Sequence, residues 1–185
     1  MVGEKIKKEL YHTIREIGKQ KIQKDITSSI QSSQKYIDLI MNECIGRLVS
    51  SEQNSDHERV IGTLSEALLH FMLTISTLPS ERKKRINSEL VIDVVIPSLR
   101  ILKTNPSKSI IVQFIKDRQD LNKVSKLQFI QPNSENIWVV FHKPFTVAKY
   151  KTYSIFPDNF SNIIVDIHNF LKQSGDKSLR FVYTK

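Results

Sequence analysis

The chain has 185 residues, 39% of them hydrophobic and 25% charged, which places it with ordinary globular proteins and allows one domain with a real core. Its single cysteine, Cys44, excludes an intramolecular disulfide and a thiolate zinc site. The net charge of +9 directs attention to polyanions, nucleic acid before anionic membrane faces.

In chain order, residues 3 to about 25 predict a helix, with Ile6, Leu10, Ile14 and Ile17 recurring at three- and four-residue steps. Its narrow stripe suits either docking on the rest of the domain or pairing with a second copy as a homodimer. After the serine-rich stretch around Ser28 and Ser32, a second helix is expected over 33–50, burying Ile37, Ile40, Met41, Cys44 and Leu48. Ser55 with Glu58 forms a capping-box pattern that starts a third helix over 56–78. That helix is apolar on much of its circumference and is the expected centre of the domain. Pro79 then predicts a turn. The run Arg82-Lys83-Lys84-Arg85 that follows is expected to be exposed and is the candidate nucleic-acid-binding cluster.

The runs 89–96 and 109–116 are β-branched, strand-length and bounded by turn formers, so they predict neighbouring strands of a covered sheet. A short helix lies between them, opened by Pro97 and closed at Asn105-Pro106. A helix over 117–127, a buried strand over 137–141, an edge strand over 150–155, a helix through Ile163–Leu171 and a last strand over 179–183 complete the order. Helices first, then strands interleaved with helices, predict an α/β layer structure with a mixed sheet. The expected division is an N-terminal helical extension, 1–54, and an α/β domain, 55–185. No apolar run approaches the roughly 20 residues of a membrane span. The N-terminus alternates lysine with glutamate and lacks the apolar segment of a signal peptide, so a soluble cytoplasmic protein is expected.

The chemistry concentrates in the two central strands. Side chains alternate along a strand, which puts Glu89 and Asp93 on one face. A buried carboxylate needs a partner, and either a lysine or arginine or a divalent ion supplies one. Mg²⁺ prefers one or two carboxylates plus substrate phosphate. It activates a bound water and stabilises phosphoryl charge, while Lys116 orients that water or neutralises developing charge. No Gly-x-Ser-x-Gly elbow and no phosphate-cradling glycine loop is present, which disfavours nucleotide-dependent enzymes.

At these residues the chain resembles the restriction-endonuclease-like PD-(D/E)XK nuclease superfamily. The pattern covers about 56–141: Glu66 on the helix before the strands, Asp93 at the metal-binding acid, Gln113 where Glu or Gln stands, and Lys116 as the nearest lysine. The resemblance implies a mixed sheet flanked by helices and Mg²⁺-dependent phosphodiester cleavage. Asp93 becomes the principal metal ligand, assisted by Glu89 or Glu66, with Gln113 and Lys116 completing the catalytic set. The chain departs from the pattern in two ways. No proline immediately precedes Asp93, and Gln113 and Lys116 are three apart instead of two. On a regular strand that spacing turns them to opposite faces, and only a bulge or a strand end reunites them. The alternative is a non-catalytic module on the same fold that binds nucleic acid or a protein. A third class is a helical adaptor assembling through its N-terminal helices.

Overall fold

The computed structural model describes residues 2–49, 57–88, 90–156 and 159–175. Its first part is helical: α1 (Val2–Ile17), α2 (Lys19–Ser28) and α3 (Ser32–Val49). The single helix expected over 3–25 divides at Gly18, whose φ of 96° lies where glycine alone is at ease. Ile6, Leu10 and Ile14 of α1 are buried, and α1 packs against α3 and α4 (His57–Ile75). The narrow stripe therefore docks within the chain. A homodimer using the same stripe would first have to uncover it. Helix α4 is the apolar centre that its sequence predicts, with Leu64, Leu68, Leu69, Met72 and Leu73 fully enclosed. Ser55 of the capping-box pattern lies outside the described residues.

Five strands follow: β1 (Glu81–Arg85), β2 (Val91–Ile96), β3 (Ile110–Phe114), β4 (Ile137–Phe141) and β5 (Lys151–Ser154), in the spatial order β1-β2-β3-β4-β5. The first three are antiparallel and the last three parallel. Parallel neighbours need a crossover, and α6 (Arg118–Leu127) makes the one between β3 and β4. The shorter α5 (Leu99–Thr104) joins β2 to β3, and α7 (Ile163–Gln173) follows the sheet. The basic run at Arg82, expected to follow the Pro79 turn as an exposed cluster, is strand β1, and it is only partly exposed. Lysines and arginines make it a charge-guarded edge of the sheet. Glu89 and the strand expected over 179–183 both lie outside the described residues.

Both faces of the sheet are covered, which is why β2, β3 and β4 read as continuous apolar runs. One layer joins Val94, Ile96, Val112, Phe114 and Val140 to α1, α3, α4 and α7. The other joins Ile92, Val95, Ile111 and Val139 to Leu102 of α5 and to Val124 and Leu127 of α6. The architecture is the mixed sheet flanked by helices that the sequence predicts. Among the described residues no helix is long and apolar enough to cross a membrane.

Because α4 is enclosed between the N-terminal helices and the sheet, its core has little room to collapse after truncation. Leu68→Ala, at a side chain with no exposed surface, should cost about 2–5 kcal/mol in urea unfolding.

Candidate active site

Strand alternation slips at one rung of the β1–β2 hairpin. Ile92 and Val95 face one layer while Val94 and Ile96 face the other, so the pleat is broken at Asp93. Across from it, between the paired rungs Arg82–Val94 and Lys84–Ile92, stands Lys83 with a φ of 47°. A lysine in this left-handed region costs of order 1–3 kcal/mol, and such strain persists only where surrounding contacts impose it.

The β2–β3 ladder ends at the same level, and side chains take over from backbone. Asp93 Oδ2 accepts hydrogen bonds from Gln113 Nε2 at 2.7 Å and from the Phe114 N–H at 2.9 Å. In return the Asp93 N–H donates to Gln113 Oε1 at 3.3 Å. Beyond Phe114 the chain leaves the strand. Asp117 caps α6 by accepting the Asp120 N–H at 3.1 Å, and Asp120 Oδ2 accepts the Lys116 N–H at 3.0 Å. This strand end lets the Lys116 side chain turn back toward α4, where Nζ meets Glu66 Oε2 at 2.6 Å. Its stem crosses α4 at Gly62, where a Cβ would lie 2.9 Å from Lys116 Cγ. Any larger residue at that position would have to displace the lysine stem.

Glu66 and Asp93 are bridged by a cation. Lys83 Nζ lies 2.6 Å from Asp93 Oδ1 and 3.0 Å from both Glu66 oxygens. Arg82 Nη2 adds a further contact to Glu66 Oε1 at 3.0 Å. Both carboxylates are nearly enclosed, with side chains only 4% and 8% exposed, whereas Lys83 is 49% exposed. The cluster opens into a cleft of about 320 Å³, lined also by Arg59, Lys116, Asp117, Asp120 and Lys123.

Comparison with solved structures finds this architecture in two DNA complexes. One is a complex of the restriction endonuclease PspGI with substrate DNA, at TM-score 0.61 and 14% identity, covering 91% of this chain and 93% of that one. The other is metal-depleted Ecl18kI with uncleaved, modified DNA, at TM-score 0.60 and 11% identity, covering 92% and 80%. The fold is the restriction-endonuclease fold. No protein-family model and no curated protein matches the chain.

On this restriction-endonuclease fold, Glu66, Asp93, Gln113 and Lys116 meet in one hydrogen-bonded cluster. The spacing of Gln113 and Lys116, incompatible with one face of a regular strand, is accommodated because β3 stops at Phe114. The basic run does not act as one exposed patch: Arg82 and Lys83 turn in to the carboxylates, Lys84 pairs with Glu81 at 3.0 Å, and Arg85 is exposed. Glu89, the other proposed metal ligand, lies outside the described residues. Sequence reasoning missed the place of Lys83 in the cluster, the role of Gly62 and the cleft residue Arg59. A signal for two of these existed. Arg59, Gly62 and Glu66 interrupt an apolar helix at three- and four-residue steps, so they mark one face of α4.

The charges explain how two buried acids coexist. Burial pushes the Asp93 carboxyl above its ordinary value, the Glu66 charge pushes it further, and Lys83 opposes both. Burial would also raise Glu66, but the Lys116 and Lys83 ammonium groups outweigh it and hold that carboxyl below its ordinary value. Lys83 is itself raised: burial acts against its charge, and Asp93 and then Glu66 overcome it. Among the described residues no group of three or more His, Cys, Asp and Glu forms a metal cage. The donors present are hard oxygens from two carboxylates that already converge on one cationic point. That set fits Mg²⁺, which binds through one or two carboxylates and completes its shell with water and phosphate.

Because the Glu66 carboxyl is held low, its contribution to stability is present above the ordinary value and is lost as pH falls through the lowered one. Glu66→Gln should therefore destabilise the protein by about 3 kcal/mol at neutral pH, leaving cations without their partner. Urea unfolding near pH 7 and near pH 3 checks this, and the gap between wild type and variant should narrow in acid.

Proposed function

We propose that this chain is a DNA-binding nuclease whose cleft at Asp93 hydrolyses phosphodiester bonds with a Mg²⁺ ion held by Asp93 and Glu66. The observation that carries the reading is the convergence of four side chains from separate parts of the fold: Asp93 of β2 pairs with Gln113 of β3, Glu66 of α4 pairs with Lys116 beyond it, and Lys83 bridges the two pairs. The restriction-endonuclease fold supports it, as do the DNA complexes in which PspGI and Ecl18kI were solved. A bound Mg²⁺ supplies an activated water and charge stabilisation at the phosphoryl oxygens.

The residues of the chain then divide the work. Asp93 and Glu66 provide the anionic seat. Gln113 is a positioning residue: buried, and bonded to both the amide and the carboxylate of Asp93, it holds that carboxylate in one rotamer. Lys116 places a positive charge beside the seat, suited to orienting water or neutralising the phosphoryl group. Arg59 and Lys123 line the same cleft and suit the flanking phosphates.

A second reading, a non-catalytic DNA-binding module, draws on one observation. Arg82, Lys83 and Lys116 already neutralise Glu66 and Asp93, and Gln113 brings no charge of its own.

Cleavage of long duplex, single-stranded and branched DNA with Mg²⁺ or Mn²⁺ tests the choice. Wild type should cut, and Asp93→Ala and Lys116→Ala should each lose on the order of 100-fold or more. Gly62→Ala should act as a milder Lys116 variant, because the new methyl displaces the lysine stem while α4 remains a good helix. Absence of cutting on every substrate, with salt-sensitive binding retained, would favour the second reading. Binding itself should weaken steeply with salt, and Arg59→Ala should lower the slope of log K against log salt by about one.

A further inference from the structure

Lys83 stands at the centre of the cluster although the sequence pattern does not include it. Among the described residues, its ammonium is the only group in contact with both Asp93 and Glu66. Arg82 and Lys116 touch Glu66 alone. The backbone at Lys83 has a φ of 47°, directly opposite the break in β2 at Asp93, so the hairpin is shaped around this contact. Unlike the acids, the side chain is half exposed, at 49%, and opens toward the cleft. Its displacement into the cleft would therefore expose no part of either apolar layer, since Lys83 belongs to neither.

We propose that Lys83 is a tethered counter-ion that competes with divalent metal for the Asp93–Glu66 seat, so that metal enters only when the lysine swings out. This rests on the reading of Asp93 and Glu66 as the metal ligands. Two positive charges cannot share one position about 3 Å from the same carboxylate oxygens without strong repulsion, so occupancy by the lysine and by the metal is exclusive. The chain thereby stays charge-compensated and folded without metal. Removal of the ammonium leaves two buried carboxylates in mutual repulsion, which a divalent ion relieves. By linkage, any free energy that Lys83 gives the metal-free state is subtracted from metal affinity.

The test is Mn²⁺ binding without DNA, read by calorimetry and by the metal-induced rise in Tm, on wild type, Lys83→Met, Lys83→Gly, Lys84→Met and Asp93→Ala. Lys83→Gly keeps the test decisive where Lys83→Met fails to fold, since glycine accepts the φ of 47°. The Lys83 variants should bind Mn²⁺ at least 10-fold more tightly than wild type and show the larger Tm rise. Lys84→Met, which alters a lysine paired with Glu81, should match wild type. Equal affinity of wild type and Lys83→Gly, with binding lost in Asp93→Ala, would overturn the competition while leaving the metal seat standing. Binding absent from wild type and both Lys83 variants would overturn the competition together with the metal seat.

Discussion

Two carboxylates buried within a few ångströms of each other would drive the fold apart unless positive charge lay between them. Glu66 and Asp93 are in that position, one on the central helix and the other at the break in β2. Removing a carboxylate from water is expensive and the mutual repulsion adds to it. Arg82 and Lys83 from the edge strand, and Lys116 from the end of β3, supply the compensation. The three neighbouring strands β1, β2 and β3 are therefore pinned to α4 at one corner of the sheet. That requirement accounts for several local departures from regular structure: the left-handed Lys83, the slipped pleat at Asp93 and the glycine under the Lys116 stem.

The same corner is where the sheet opens. Regular pairing between β2 and β3 covers Val94 to Ile96 and stops before Asp93, where the Gln113 side chain and the Phe114 N–H complete the hydrogen bonding. Below that level both faces are dry and apolar. Above it polar groups converge, and the cleft begins. A binding site placed at the end of a covered sheet inherits rigidity from the core and access from the loops. Asp93 and Gln113 belong to the rigid side of that boundary. Lys83, half exposed on an edge strand, belongs to the accessible side.

The electrostatic asymmetry between the acids has a functional reading. Glu66 is held low by two ammonium groups, whereas burial raises Asp93. Glu66 thus serves as the fixed anchor of the cation network. Asp93, whose Oδ1 meets only Lys83 among the contacts described, relies on that lysine to offset its burial.

Much of this was readable from residues. The apolar periodicity of α3, α4 and α7, the covered runs of β2, β3 and β4, and the need of Asp93 for a partner all follow from composition and spacing, because burial of both sheet faces leaves continuous Val and Ile runs. The meeting of Asp93 with Gln113 was legible too, since each interrupts one of two neighbouring apolar strands. What the sequence could not decide was where the positive charge would go. Arg82 to Arg85 has the composition of a solvated turn, and the pairing of that segment as an edge strand depends on β2 lying beside it. Whether Gln113 and Lys116 could share one site likewise depended on where β3 ended. The cap of α6 by Asp117 and the open surface of Gly62 decide that, and both act only once helix and strand are packed together. Local patterns specify which residues are buried. The pairing of charges across elements belongs to tertiary structure, because an ion pair depends on distances of a few ångströms between residues far apart in the chain.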